Sequence, residues 1–420
     1  MRKIAIILLL ALIPSLAESK PKVRVDKRIP AGNVVVERVS GDSVFVAPDL
    51  TGNAREWFYW AMRVRGAQGR TLVFQFPRKC VGARGPVISS DKGKTFRFGG
   101  GRSGTRFSYA FGPDEREVWF YECHPYLQSD WKKFTRTLDG KRFRQEVLCL
   151  SRSGKKVPVA TFGRLDGRAS SKVVVTARHH CSESLASFVM EGLAQACCAD
   201  DPVGNWLREN VELSFVPFVD YDGVLAGDQG KNRSPHDHNR DYGPFLYPET
   251  RAVAELYVEK APQMVLDLHC PWISGKNNEK VFCPLLDPAI VQDPAAEDRF
   301  AELMEKNAQG LPYKADNDTP YRPSANPGSP SDGISCRRWA AANLKGLRVC
   351  RCFEIPFANA QGTEVTPDAC RTFGRSIAAT VVEAMKEWEN SGKYCDKSFK
   401  SHERAPARWF QFLFLDIFVF

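Results

Sequence analysis

Residues 172–193 read KVVVTARHHCSESLASFVMEGL, and this stretch decides the fold. Its first part, Val173-Val174-Val175-Thr176-Ala177, is a continuous apolar and β-branched run of the kind a strand covered on both faces requires. Its last part changes period. Leu185, Phe188, Val189, Gly192 and Leu193 fall at spacings that line one stripe of a helix. Between strand and helix stand Arg178, His179, His180, Ser182 and Glu183. They lie beyond the carboxyl end of a strand, where open α/β sheets bind their ligands.

Working outward, the runs at 211–219, 264–268 and 347–355 repeat the buried-strand signal, and segments of helical period separate them. That alternation predicts an α/β domain over 131–395, a mostly parallel sheet with helices on both faces. The strand ends carry reactive groups: Asp237 to Arg240 lie past the second run, His269 ends the third, and Glu354 lies near the end of the fourth. Catalytic zinc takes three protein ligands and keeps a position open, and two His with one Glu supply that set. His180-x-x-Glu183 at a strand-to-helix turn lets both side chains converge on one ion. Alone, H-x-x-E is as readily a solvated helix start and Glu354 a strand-end carboxylate. The joint placement at one sheet edge gives them weight.

Residues 22–130 have another grammar. VVVERV, SVFVA, WFYWAMRV, TLVFQF, TFRFGG, TRFSYAF and EVWFYEC are short alternating runs separated by turn residues, which predicts an all-β sandwich. Ahead of it, Arg2-Lys3, the apolar residues 4–13 and Ser15-Leu16-Ala17 have the layout of an export signal over residues 1–17, implying a secreted or periplasmic product. No later run is long enough to span a bilayer. The stretch 317–333, rich in Pro, Ser and Gly, is a long loop of the functional or mobile kind. At the far end, the tail at 396–420 finishes in WFQFLFLDIFVF, open to reading as a docking strand, a partner-binding edge or an aggregation-prone segment.

Thirteen cysteines in an exported chain permit disulfides and leave at least one thiol over; Cys350 and Cys352 share a strand face and read as small buried hydrophobes. The net charge of +10 points weakly to acidic partners or an anionic surface. No basic motif interleaved with aromatics suggests a nucleic-acid partner.

Taken together, Arg178-His179-His180-Cys181-Ser182-Glu183, Asp222-Gly223, Asp237-His238-Asn239-Arg240, Asp267-Leu268-His269 and Phe353-Glu354-Ile355-Pro356 resemble the M14 zinc carboxypeptidases, in the same order, over about residues 144–389. Trp57-Phe58-Tyr59 and residues 121–130 are similar to elements of the β-domain that precedes the catalytic domain in the cytosolic-carboxypeptidase branch. The resemblance implies one zinc per chain held by His180, Glu183 and His269, with Glu354 as general base. It also implies that Asn239 and Arg240 grip the terminal carboxylate of a peptide, that Arg233 polarises the scissile carbonyl, and that Asp237 accepts from the far nitrogen of a ligand His. Two features depart from the pattern. Tyr321 is only a candidate for the substrate-capping Tyr, and His238 stands where an apolar residue is usual and forms, with His236, a second possible metal pair.

In the resembling enzymes the segment upstream of the base lines the specificity pocket, and here it reads Cys336-Arg337-Arg338-Trp339. Arg337 and Arg338 either receive a terminal Glu or Asp or lie along an aromatic surface. Two rival functions remain open: a deacylase or amidase acting on N-acyl amino acids or cell-wall peptides, and an inactive surface-binding module.

Overall fold

Alternating burial builds the first part of the chain. The computed structural model describes residues 22–53, 57–322 and 333–390; the expected leader at 1–17, the tail at 396–420 and most of the loop at 317–333 lie outside the described residues. Strands β1 (Arg24–Asp26), β2 (Val35–Ser40), β3 (Ser43–Ala47), β4 (Ala61–Arg65), β5 (Thr71–Gln75), β6 (Val87–Ser89), β7 (Arg97–Phe98), β8 (Arg106–Ala110) and β9 (Glu117–Tyr121) form two sheets, ordered β1-β4-β9-β6-β7 and β2-β3-β5-β8. In β3, Val44 and Val46 are buried while the residues between them are partly exposed. Leu72 and Phe74 of β5 do the same, and all four join one core with Met62, Val64, Val118 and Phe120 of the other sheet. The expected β-sandwich is present. Aromatic rings fill its middle, with Phe74 stacked on Phe107 at 4.6 Å.

After α1 (Gln128–Thr135), strands β10 (Phe143–Leu150), β11 (Lys156–Gly163), β12 (Ser171–Ala177), β13 (Val211–Val216), β14 (Met264–His269) and β15 (Val349–Glu354) make a mixed sheet ordered β10-β11-β13-β12-β14-β15. The β13-β12-β14-β15 half is parallel, and β10 and β11 extend it antiparallel. Successive side chains of β12 serve two cores. Val173, Val175 and Ala177 pack with α2 (Leu185–Cys198), α3 (Pro202–Asn210), α6 (Pro294–Asn307) and α8 (Pro367–Asn390). Val174 packs with α5 (Pro248–Lys260) and α7 (Cys336–Asn343), while α4 (Tyr221–Ala226) leads into the loop 227–240. A strand buried on both faces has no polar alternation to show, hence the unbroken apolar runs. Gly192 fits the apolar stripe of α2 for a stricter reason: a Cβ there would sit 1.9 Å from the Arg371 carbonyl oxygen of α8. Close backbone approach at this point lets the side chains of the two helices pack into one core.

The sandwich is clamped onto the second domain by Gln229. Its side-chain oxygen accepts from the Tyr59 amide at 2.8 Å, and its nitrogen donates to the Tyr59 carbonyl at 2.7 Å. Asn33 adds a bond to the Gly227 carbonyl at 2.9 Å. The loop 227–233 is thereby fixed from the N-terminal side. No helix among the described residues is long and apolar enough to cross a membrane. All twelve described cysteines are free, and Cys350 and Cys352 are buried.

Just beyond β9, Glu122 is buried with neither carboxylate oxygen bonded, and burial pushes its carboxyl up to about 8. The unfolded chain ionises this group near 4.5. Stability should therefore fall as pH rises across that interval, since only the unfolded state releases the proton freely. Glu122→Gln removes this term. Urea unfolding near pH 5 and near pH 8 should show the variant gaining on the wild type as pH rises; parallel stabilities at both would contradict the assignment.

Candidate metal centre and active site

The turn after β12 is built by a buried arginine. Arg178 takes a left-handed backbone conformation with φ 63°, which a non-glycine residue holds only when its surroundings fix it. Here they do. Its guanidinium donates to the Cys181 carbonyl at 2.8 Å, and to the Tyr126 carbonyl and Ser187 hydroxyl at 3.0 Å. The turn so braced carries His180 and Glu183. Against it runs Gly230, whose Cβ would lie 2.3 Å from the Cys181 amide nitrogen, so this loop can approach only as glycine. On the neighbouring strands, His269 ends β14 directly opposite Glu354 at the end of β15.

Three side chains converge there. Glu183 places one carboxylate oxygen 2.7 Å from His180 Nδ1 and the other 2.7 Å from His269 Nδ1. One donor atom from each residue lies within 4.8 Å of the other two, and all three residues are buried. Two imidazoles and a carboxylate are a catalytic zinc donor set, and the residues fit the ion. The outer nitrogens fit as well. His180 Nε2 faces Asp237 Oδ1 at 3.4 Å, and His269 Nε2 lies 2.9 Å from Asp267 Oδ2. At His269 such a carboxylate fixes the ring orientation and the tautomer that leaves Nδ1 for a metal, while at His180 Asp237 acts as a nearby charge. Burial pushes the carboxyls of Glu183, Asp237 and Asp267 up, but their imidazole neighbours override it and hold all three below the usual range.

A second group, His179, Asp267 and Cys336, also clusters. Its atoms are already engaged: His179 Nδ1 lies 3.0 Å from Asp267 Oδ1, His179 Nε2 lies 2.7 Å from the Tyr242 hydroxyl, and the Cys336 thiol pairs with the Tyr257 hydroxyl at 2.9 Å. It is a polar brace behind His269. His236 and His238 make no metal pair among the described residues. His236 bonds Asp241 at 2.7 Å, and His238 stacks on Tyr247 with ring centres 3.9 Å apart.

Glu354 comes from the adjacent strand end. Its Oε2 is buried without a hydrogen bond among the described residues, and Oε1 has the Cys352 thiol at 4.0 Å. Burial raises its carboxyl above the ordinary range, with Glu183 acting in the same sense against His269. A carboxyl group so placed is suited to exchanging protons.

Asn239 is fixed by accepting from the Cys336 amide at 3.0 Å, and its amide nitrogen lies 3.3 Å from His269 Nε2. Arg240 follows it, half-buried, donating to the Asn239 carbonyl at 2.7 Å. Arg233 is not brought into the cluster. Its guanidinium pairs with Asp220 at 2.6 Å and Asp228 at 3.2 Å. Lys231 stands at the cluster instead, Nζ 3.2 Å from His180 Nε2. The sequence offered Gly-Lys-Asn-Arg, two cations two residues apart, with nothing local to choose between them. Arg337 and Arg338 part company likewise. Arg338 is exposed, while Arg337 is buried, donating to the Pro284 carbonyl at 2.7 Å and the Cys350 carbonyl at 3.3 Å, with no carboxylate partner among the described residues. A cleft of about 1450 Å³, lined by Arg84, Lys92, Arg97 and Arg371 among others, opens elsewhere and none of the candidate metal ligands borders it.

The chain is 34% identical over 196 residues to cytosolic carboxypeptidase 4 of Homo sapiens, covering 42% of this chain and 17% of that protein. Against cytosolic carboxypeptidase 6 of Homo sapiens it is 24% identical over 298 residues, 66% of this chain and 57% of that one. A crystal structure of a metallo-carboxypeptidase from Burkholderia cenocepacia matches with TM-score 0.70 at 19% identity, over 87% of this chain and 99% of that one. The chain is similar to M14 metallocarboxypeptidases of the cytosolic carboxypeptidase type. A metallo-carboxypeptidase from Pseudomonas aeruginosa shares the fold with TM-score 0.68, again at 19% identity over 87% and 99%. No family model matches the chain. At these identities the M14 structures establish the fold, and the chain spans 17% and 57% of the two curated relatives' lengths.

If the cluster is a zinc site, His269→Ala should reduce bound zinc from one per chain toward none, and Asp267→Asn should weaken it by about 10–100-fold, the usual cost of losing a carboxylate behind a ligand His. Metal analysis and competition with a chelator measure both. Full retention by His269→Ala would remove it from the site.

Proposed function

We propose that the chain is a zinc-dependent carboxypeptidase that removes the C-terminal residue of peptides. The observation that carries this reading is the meeting of His180, Glu183 and His269 with an unbonded carboxylate oxygen of Glu354 from the adjacent strand end. Zinc on the three ligands would supply a Lewis acid for the scissile carbonyl and lower the pKa of water.

The remaining work falls to this chain's own groups. Glu354 takes the proton of the attacking water as its oxygen bonds to the carbonyl carbon, then passes it to the leaving nitrogen as the C–N bond breaks. Lys231, not Arg233, is the cation within reach of charge developing on the carbonyl oxygen. Arg233 is already committed to Asp220 and Asp228. Asn239 and Arg240 receive the terminal carboxylate, for which a guanidinium fork is well shaped. Arg337 is buried and hydrogen-bonds only carbonyl and thiol groups, with Asp267 and Glu297 acting on it through space, so a terminal Glu or Asp side chain would supply the directly bonded carboxylate it lacks. A deacylase or amidase would use the same atoms on a smaller substrate, and products from a peptide library set against N-acyl amino acids distinguish the two.

Glu354→Gln should keep zinc and fold but lose at least about 10²-fold in kcat, since an amide cannot accept the proton. Turnover within tenfold of wild type would overturn its role. Lys231→Ala should lower kcat by about 10²-fold, with partial recovery in Lys231→Arg, whereas Arg233→Ala should act on stability by leaving Asp220 buried and unpaired. Arg337→Ala should reduce kcat/KM for a Glu-terminal peptide by about ten- to a hundredfold and leave a Leu-terminal one nearly unchanged, matching one hydrogen bond to a charged group. Equal losses on both peptides would exclude Arg337 from the pocket.

A further inference from the structure

Beside the ligand cluster is a group of aromatic rings contributed by both domains. Trp57 of the N-terminal domain meets Trp272, three residues past His269, edge to face with centroids 4.6 Å apart. Phe58 packs on Trp272 at 5.0 Å and on Phe357, three residues past Glu354, at 5.4 Å. Phe58 and Phe357 are fully covered, but Trp272 is 42% exposed. The group also reaches the cluster directly: Lys231 Nζ is 5.8 Å from the centre of the Trp57 ring and 3.2 Å from His180 Nε2. Trp57 Nε1 is buried and has no hydrogen-bond acceptor among the described residues. A buried indole N–H normally finds one, and leaving it unmet costs free energy.

The position relative to the sheet gives these rings a direction. Cys336, which donates its amide to Asn239, belongs with Tyr242 to the core on the α5 and α7 face. Phe58, Ile273 and Phe357 belong to the core on the opposite face. The residues proposed for the terminal carboxylate thus lie to one side of the metal ligands and the aromatic group to the other. On the carboxypeptidase reading, a peptide whose last residue is held on the first side would extend toward the second.

We propose that Trp272, backed by Trp57, forms a subsite for the residue preceding the scissile bond, selecting an aromatic or large apolar side chain there. This rests on the carboxypeptidase reading for the direction of the chain. The wall is firm because the N-terminal domain is fixed through Gln229 and through the bond from the Ser234 amide to the Gly52 carbonyl at 3.3 Å. A ring facing Trp272 gains both apolar burial and an edge-to-face or stacked contact.

The test measures binding apart from cleavage, in full-length zinc-loaded protein carrying Glu354→Gln. Titration calorimetry compares acetylated tetrapeptides ending in Gly-Glu and Phe-Glu. The Phe-Glu peptide should bind at least about tenfold more tightly, a ratio in keeping with one aromatic contact plus its burial. Adding Trp272→Ala, with the fold checked by its thermal unfolding, should bring the two peptides within about twofold while leaving the Gly-Glu value nearly unchanged. Equal binding of the two peptides, no binding of either, or a Trp272→Ala loss shared equally between them would overturn the subsite. Should wild type cleave neither peptide while the Trp272-dependent preference persists, the hydrolase reading falls and the subsite stands. Cleavage with no such preference has the opposite meaning.

Discussion

The Glu183 carboxylate, shared between His180 Nδ1 and His269 Nδ1 at 2.7 Å each, is the contact on which the rest depends. It ties the turn after β12 to the end of β14. It also gathers ionisable groups where water is excluded, and such a cluster survives only if each charge and each hydrogen bond is answered. Much of the surrounding sequence reads as that answer. Asp237 and Asp267 stand behind the two imidazoles, His179 and Thr176 stand behind Asp267, and Arg178 locks the turn from below. Glu354 Oε2 and Asp237 Oδ1 are the exceptions, each left without a hydrogen bond among the described residues. An unmet polar atom next to a complete donor set marks where chemistry can happen.

The N-terminal sandwich is part of this construction. The loop 227–233 carries Lys231 and presses Gly230 against the Cys181 backbone. It is held from the outside by Gln229, Asn33 and the backbone of Tyr59. Domain docking and the position of the cationic group are therefore one problem, which gives the sandwich a mechanical share in the site.

What the sequence made legible follows from periodicity. Runs buried on both faces gave the parallel strands, alternating runs gave the sandwich, and residues at strand ends gave His180, Glu183, His269 and Glu354 as neighbours. Rotational detail was harder. Arg337 and Arg338 sit about 100° apart on α7, so one enters the interior and the other meets solvent, and nothing in their order says which. Lys231 and Arg233 share an irregular loop with no period at all, and only the position of Asp220 and Asp228 shows that the arginine is taken. His236 and His238 looked like a pair because they are close in sequence, but the backbone turns them toward Asp241 and Tyr247.

The central claim is that zinc on His180, Glu183 and His269 drives removal of a peptide's last residue. The most direct measurement adds zinc stepwise to metal-free protein and follows peptide products by mass spectrometry at each step. The account predicts that loss of single C-terminal residues begins with the first zinc and saturates at about one equivalent per chain. Cleavage at full rate without metal, or products shortened from the N-terminus or cut internally, would contradict it.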